Sequence, residues 1–189
     1  SYKRLICPAI EREVRNELTD KGEEGAILIF KENLKALLMQ PPIKGKVVMG
    51  YDPGFRTGCK VAVLDPTGKF LEKATVYPTV PKKDVEGTKK VLKELINKYN
   101  VDVISLGNGT ASRESEEVIA EIITEVKNET GKELAYVIVS EAGASVYSAS
   151  ELAAKEYPDL DVTIRGAISI GRRLQDPMAE LVKIEPKAI

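Results

Sequence analysis

Residues 47–65 read VVMGYDPGFRTGCKVAVLD, and this stretch decides the fold. The apolar run 47–51 has the composition of a buried strand, and Asp52 follows at its end. Pro53-Gly54 and Gly58 then turn the chain into a second β-type run, 60–65. Asp65-Pro66-Thr67-Gly68 is a turn in which Pro presets φ and Gly accepts positive φ, and it leads into a third run, 69–77. Strands joined this tightly predict an antiparallel meander.

The period then changes. Leu92, Leu95, Ile96 and Tyr99 line one face of a helix over 84–99, with Asp84 as its N-cap. A buried strand, 101–106, runs into Gly107-Asn108-Gly109-Thr110 and a helix starting near Ser112, whose first turn holds Glu114, Glu116 and Glu117. A strand over 134–140, a small-residue helix over 144–156 and a helix over 163–175 follow, and Asp176-Pro177 breaks the last before a turn or two around 178–182. The order βββαβαβα predicts an α/β domain with a mixed five-stranded sheet, the topology of RNase H-like folds. In such sheets sites gather at strand ends, so Asp52, the glycine loop and Glu141 are expected in one cleft.

Ahead of this domain, apolar residues recur at helical spacing from Ile10 to Met39. Gly22 and Gly25 weaken the run, which predicts two helices or one bent helix, ended by Gln40-Pro41-Pro42. The expected division is a helical segment over 1–44 and the sheet domain over 45–189.

Composition narrows the chemistry. A net charge of −1 on 189 residues supplies no global field toward nucleic acid or anionic lipid, so any such contact is local. With no histidine, Ser-His and Cys-His nucleophile pairs are excluded, and the work falls to carboxylates, Lys, Arg, hydroxyls or backbone. No Trp and 5% aromatic residues leave few platforms for stacking bases. Cys7 and Cys59 stand far apart without the spacing of a zinc site or disulfide framework, which suits a reducing cytoplasm. Neither a membrane span nor a signal peptide is legible, and a cytoplasmic location is expected.

Several residues are candidates for function. Gly54 and Gly58 allow close approach of a phosphate or ion to Asp52, and Arg56 is suited to pair with an anion. The Gly107-Asn108-Gly109 loop at a helix start can present N–H groups to phosphate, with Arg113 just beyond. Arg165, Arg172 and Arg173 cluster on the last helix, with Lys183 and Lys187 following, and could contact phosphates near Asp176. Each also has a bland reading: a capped hairpin, ordinary strand-to-helix punctuation, and a solvated helix face.

Four ordered motifs carry a resemblance: GYDPGFRTGCKVAVLD at 50–65, LGNGTASRE at 106–114, SEAGASVYSASELAA at 140–154 and RGAISIGRRLQDPMAELVKI at 165–184. Together they resemble the Tex family of bacterial transcription accessory proteins, and the region from 45 resembles its YqgF-type RNase H-like domain. The resemblance implies an excised piece of a longer protein, with the helical segment inherited from a preceding region and RNA-binding elements of an OB-fold type beyond it. It implies nucleic acid, RNA or DNA, and the transcription machinery as partners. Active nucleases of this fold, such as RuvC-like resolvases, hold two magnesium ions between carboxylates, because hard cations take oxygen ligands and offset charge gathering on phosphate. By that resemblance Asp52, Glu141 and Asp176 are the expected magnesium ligands and catalytic residues. Asn108 departs from the pattern, since it is neutral where active resolvases place a carboxylate, and Glu114 one turn on is a weak substitute. Hydrolysis is therefore expected to be weak or lost.

Two other classes stay open. One is a protein-interaction or architectural domain that keeps only the nuclease fold. The other is half of an actin-like ATPase, in which Asp52 and Asp65 would flank a phosphate-binding hairpin.

Overall fold

The computed structural model describes residues 2–189. It divides after Met39 into two compact units. In the first, a π-helical turn, Tyr2–Ile6, runs into helix α1, Cys7–Leu38. The break expected at Gly22 and Gly25 is absent, and the helix is continuous over 32 residues. Each glycine costs about 1 kcal/mol relative to Ala but still donates and accepts its backbone bonds, so two of them among Glu, Lys, Ala and Leu weaken the helix without interrupting it. The Met39 N–H donates to the Lys35 carbonyl at 3.0 Å, and the two prolines at 41–42 stop the helix.

The second unit is built on strands β1 (Val48–Asp52), β2 (Cys59–Leu64), β3 (Phe70–Val76), β4 (Val103–Gly107) and β5 (Ala135–Val139). Their order is β3-β2-β1-β4-β5. β1 pairs antiparallel with β2 and β2 with β3, while β1–β4 and β4–β5 are parallel. The expected meander and mixed five-stranded sheet are thus the observed ones. Tight turns account for the first three strands, and helices α2 (Val85–Tyr99) and α3 (Ser112–Thr130) supply the crossovers that parallel pairing needs. Asp84 caps α2 by accepting the Gly87 N–H at 2.9 Å, as its sequence position predicted.

Alternation along the strands sends side chains to two cores. On one face Met49, Tyr51, Val61, Ile104 and Leu106 pack with Leu92 and Ile96 of α2 and Ile119 and Ile122 of α3. On the other, Ala62 and Leu64 meet Ile164, Ala167 and Ile168 of helix α6 (Val162–Gln175), and Val48 and Val103 meet Leu174 at its far end. The helix expected over 144–156 is two pieces, α4 (Ala144–Ser148) and α5 (Glu151–Glu156), because Ser150 starts a new helix by accepting the Ala153 N–H at 3.1 Å. A short α7, Pro177–Leu181, follows α6.

Helix α6 lies directly on β1 and runs antiparallel to it. Its Gly166 faces Asp52, its Ala167 and Gly171 face Gly50, and its Leu174 packs with Val48. A Cβ at Gly50 would overlap the Ala167 carbonyl oxygen and stand 2.9 Å from the Gly171 nitrogen, so only glycine permits this approach.

Substituting Gly50→Ala is expected to destabilise the domain by about 3 kcal/mol or prevent folding, the cost of overpacking at a backbone contact. Gly25→Ala, which meets open space, is expected instead to gain up to ~1 kcal/mol of helix stability. Denaturant unfolding of the two variants checks both signs.

Candidate active-site cleft

Strands β1, β4 and β5 all end on one rim of the sheet, and their last residues or the loops after them bring Asp52, the 107–110 loop and Glu141 together. A cavity of about 260 Å³ opens there, lined by both carboxylates, by Ser145, Ser148 and Thr163, and by Gly166 of α6. Asp52 accepts no hydrogen bond from any described residue, although Lys60 lies close enough to lower its pKa somewhat. Burial first, and then the like charge of Glu141, push the Asp52 carboxyl up to about 7. Burial also raises Glu141, opposed by the Gly109 N–H and the Arg173 guanidinium.

The glycine loop is already occupied, by the carboxyl group of Glu141. A Cβ at Gly107 would overlap Glu141 Oε1, and one at Gly109 would overlap Oε2. The Gly109 N–H lies close enough to lower the pKa of this carboxyl, while Glu141 Oε1 is buried with no hydrogen-bond partner among the described residues. Asn108 is spent on the same loop: its Oδ1 accepts the Glu141 N–H at 3.0 Å. The loop residues Gly107, Asn108 and Gly109, expected to bind phosphate, therefore seat a side chain of the chain itself.

Arg173 is a second correction. It is buried, 3% exposed, and its Nη1 donates to the Ser140 and Ala142 carbonyls at 2.7 Å each, clamping the segment on both sides of Glu141. It has no access to a nucleic-acid phosphate. Arg172 donates through Nε to the Gly68 carbonyl at 3.0 Å, stacks over the Tyr157 ring and lies near Glu156 and Glu180. The Arg165 Nε donates to the Tyr157 carbonyl, and Lys183 pairs with Glu156 and Glu180. The basic cluster of the last helix is thus an internal brace.

Asp176 is the third. It follows α6 at the end remote from Asp52, about ten residues or ~15 Å along the helix from Gly166. Its carboxylate accepts the Ala179 N–H at 3.1 Å and caps α7. The sequence misplaced it because helix direction relative to the sheet is not written in a local motif. Asp65, likewise, sits beyond β2 at the opposite end of the sheet and binds the Thr67 and Lys69 N–H groups of its own turn, so it does not flank a phosphate with Asp52. Arg56, Arg113 and Glu114 are exposed, all on the Asp52 rim.

A two-ion centre needs metals about 3.5–4 Å apart bridged and flanked by carboxylates. Here only Asp52 and Glu141 converge, α6 presents Gly166 with its ideal Cβ position 3.1 Å from Asp52 Oδ2, and the Asn108 oxygen is committed to backbone. No group of three or more Asp, Glu, Cys or His side chains among the described residues is placed to hold an ion. These donors do not fit the two-magnesium arrangement expected from the resemblance.

A five-stranded mixed sheet with two parallel crossovers, Asp52 ending its first strand and Glu141 just after its last, defines an RNase H-like domain. The family model for the Tex protein YqgF-like domain matches residues 46–175, and the chain belongs to that family. It is 56% identical over its full length to the uncharacterized protein YdcI of Bacillus subtilis (strain 168) and 56% identical to Protein tex of Bordetella pertussis. It covers 26% and 24% of those proteins, so the chain spans about a quarter of the length of the curated relatives it matches. Among solved structures, Thermus thermophilus RuvC in complex with Holliday junction substrate is similar at 14% identity and a TM-score of 0.46, over 72% of this chain and 94% of that one. Among the described residues no helix is long and apolar enough to cross a membrane.

Stability in EDTA is expected to fall as pH rises from about 4 to 7. The native state keeps the Asp52 proton up to its raised pKa while the unfolded chain has released it, so native binds more protons in that window and loses stability across it. Asp52→Asn should flatten this fall and be the more stable form above pH 7, on the order of a few kcal/mol at most. Unfolding of both proteins by denaturant at stepped pH measures the difference.

Proposed function

We propose that this chain is the nucleic-acid-associated domain of a Tex-like transcription accessory protein, in which the RNase H-like cleft is retained as scaffold and phosphodiester hydrolysis is weak or lost. The observation that carries the second half is Gly166: the last helix meets Asp52 with a glycine, and its nearest downstream acid, Asp176, is turned to a capping role at the other end. The first half rests on family membership and on the names of relatives, which include a transcriptional accessory protein Tex of Neisseria gonorrhoeae and a human S1 RNA-binding domain-containing protein. A purely architectural, protein-binding role is the second reading. The internal engagement of Arg172 and Arg173 favours it, since it withdraws the cations that the last helix would otherwise offer to phosphate.

Incubating the purified chain with Mg²⁺ or Mn²⁺ and labelled DNA and RNA of several structures should give no cleavage that Asp52→Asn removes. Metal-dependent cleavage abolished by that substitution would instead establish a working nuclease. Retained binding of the same oligonucleotides without cleavage separates the nucleic-acid reading from the architectural one, which expects neither.

A further inference from the structure

We infer that a nucleic-acid backbone is held by a row of unpaired cations on the α2/α3 side of the Asp52 rim, beside the carboxylate cavity and not inside it. The inference rests on the nucleic-acid reading above and names the surface that would serve it.

Strands β1, β3 and β4 share one direction, so the segments after them lie on one rim. Those segments carry Arg56 after β1, Lys82 and Lys83 after β3, and Arg113 after β4. All four side chains are exposed, and none forms an ion pair among the described residues. Elsewhere in the domain Lys89 and Lys93 of α2 pair with Glu121, Glu125 and Glu129 of α3, Arg172 and Lys183 lie with Glu156 and Glu180, and the exposed lysines outside these pairs, such as Lys44, Lys69, Lys73, Lys90 and Lys127, are not grouped at this rim. Within a net charge of −1, these four cations are grouped on one rim outside any ion pair among the described residues. The exposed acids nearest these cations are Asp84, which caps α2 by accepting the Gly87 N–H, and Glu86 and Glu114 in the first turns of α2 and α3, where the helix N-termini engage them.

Spacing matches the ligand. From β3 across β2 and β1 to β4 is three strand intervals, ~14 Å at 4.7–4.9 Å each. A stacked nucleic-acid strand carries a phosphate about every 3.4 Å of axis, so four cations meet about four phosphates. Lys82 lies 3.9 Å over the Tyr77 ring, which restrains its ammonium while leaving the charge in water. The side of the rim follows from the helices. Lys82 and Lys83 lead into α2 and Arg113 opens α3, both packed on the face of Met49 and Tyr51, whereas the Asp52 carboxylate points toward α6. A backbone lying on these cations passes the cavity without placing a phosphate between Asp52 and Glu141. Glu141 itself closes the glycine loop, the other anion seat on this rim.

The test measures binding of a labelled single-stranded 20-mer, as RNA and as DNA, to the 189-residue chain by fluorescence anisotropy from 50 to 200 mM salt. Four phosphate contacts predict a slope of log K against log salt of about −3 for single strands. Arg56→Glu, Lys82→Glu, Lys83→Glu and Arg113→Glu combined should raise Kd at least tenfold at the lowest salt and flatten the slope, with thermal stability unchanged. Lys44→Glu with Lys69→Glu, exposed on the opposite rim, should leave both nearly unchanged. If the opposite-rim pair weakens binding and the four-residue variant does not, the track is overturned while the nucleic-acid reading stands. If the unsubstituted chain binds neither oligonucleotide at 50 mM salt, the reading of this domain as nucleic-acid-associated falls, and the track with it.

Discussion

The contact of Gly50 on β1 with Ala167 and Gly171 on α6 governs the rest of the domain. With no Cβ on either glycine the helix axis comes down onto the sheet, and four consequences follow from its register. Gly166 is set against Asp52. Arg173 reaches the Ser140 and Ala142 carbonyls. Gln175 reaches back to the Lys46 and Asp65 carbonyls at 3.1 and 2.7 Å, tying both ends of the first hairpin to the helix. Ser105, buried in β4, donates to the Ile170 carbonyl at 2.7 Å, a polar contact that fixes the helix in translation along the strand. A half-turn rotation or a one-residue slip would lose all of these together.

Glu141 shows how a site can be filled by its own chain. A glycine loop between a strand and a helix is a ready anion seat, and nothing local in LGNGTASRE says what will occupy it. The occupant comes from the next strand, held by the Asn108 oxygen on one side and Arg173 on the other. Arg173 is costly to bury, and burial lowers its pKa, yet it faces Glu141 and Glu180 and satisfies two carbonyls that would otherwise be unpaired in the β5–α4 connection. The neutral Asn108 amide accepts the Glu141 N–H without adding a third negative charge beside two acids whose pKa values are already raised.

What the sequence made legible was whatever depends on period and on local turns. The meander, the two crossovers, the Asp84 cap and the convergence of Asp52, the glycine loop and Glu141 all follow from strand direction, which alternation and turn length fix. Direction of α6 across the sheet does not follow from any local pattern, and that alone moved Asp176 to the wrong end. The partners of Arg172 and Arg173 are residues 104 and about 30 positions away in the chain, so their engagement was invisible. A lysine pair in a loop carries no pattern, and only the shared direction of β3 and β1 places Lys82 and Lys83 on the same rim as Arg56. A signal existed for the α4–α5 break: Ser150 followed by Glu151 is a helix start inside a run that composition alone reads as one helix.

The same geometry sets the charge balance of the cleft among the described residues. In an active two-ion site each carboxylate is held ionised by cations, and without them three close acids would repel and be driven to protonate. Gly166 and Asn108 bring no charge to the cleft, and Arg173 with the Gly109 N–H opposes the raised pKa of Glu141. Asp52 remains as the single strongly strained ionisation, with a pKa near neutrality and Lys60 as its only opposing charge. One residual proton on one carboxyl is a far smaller electrostatic burden than three close, unneutralised carboxylates would be.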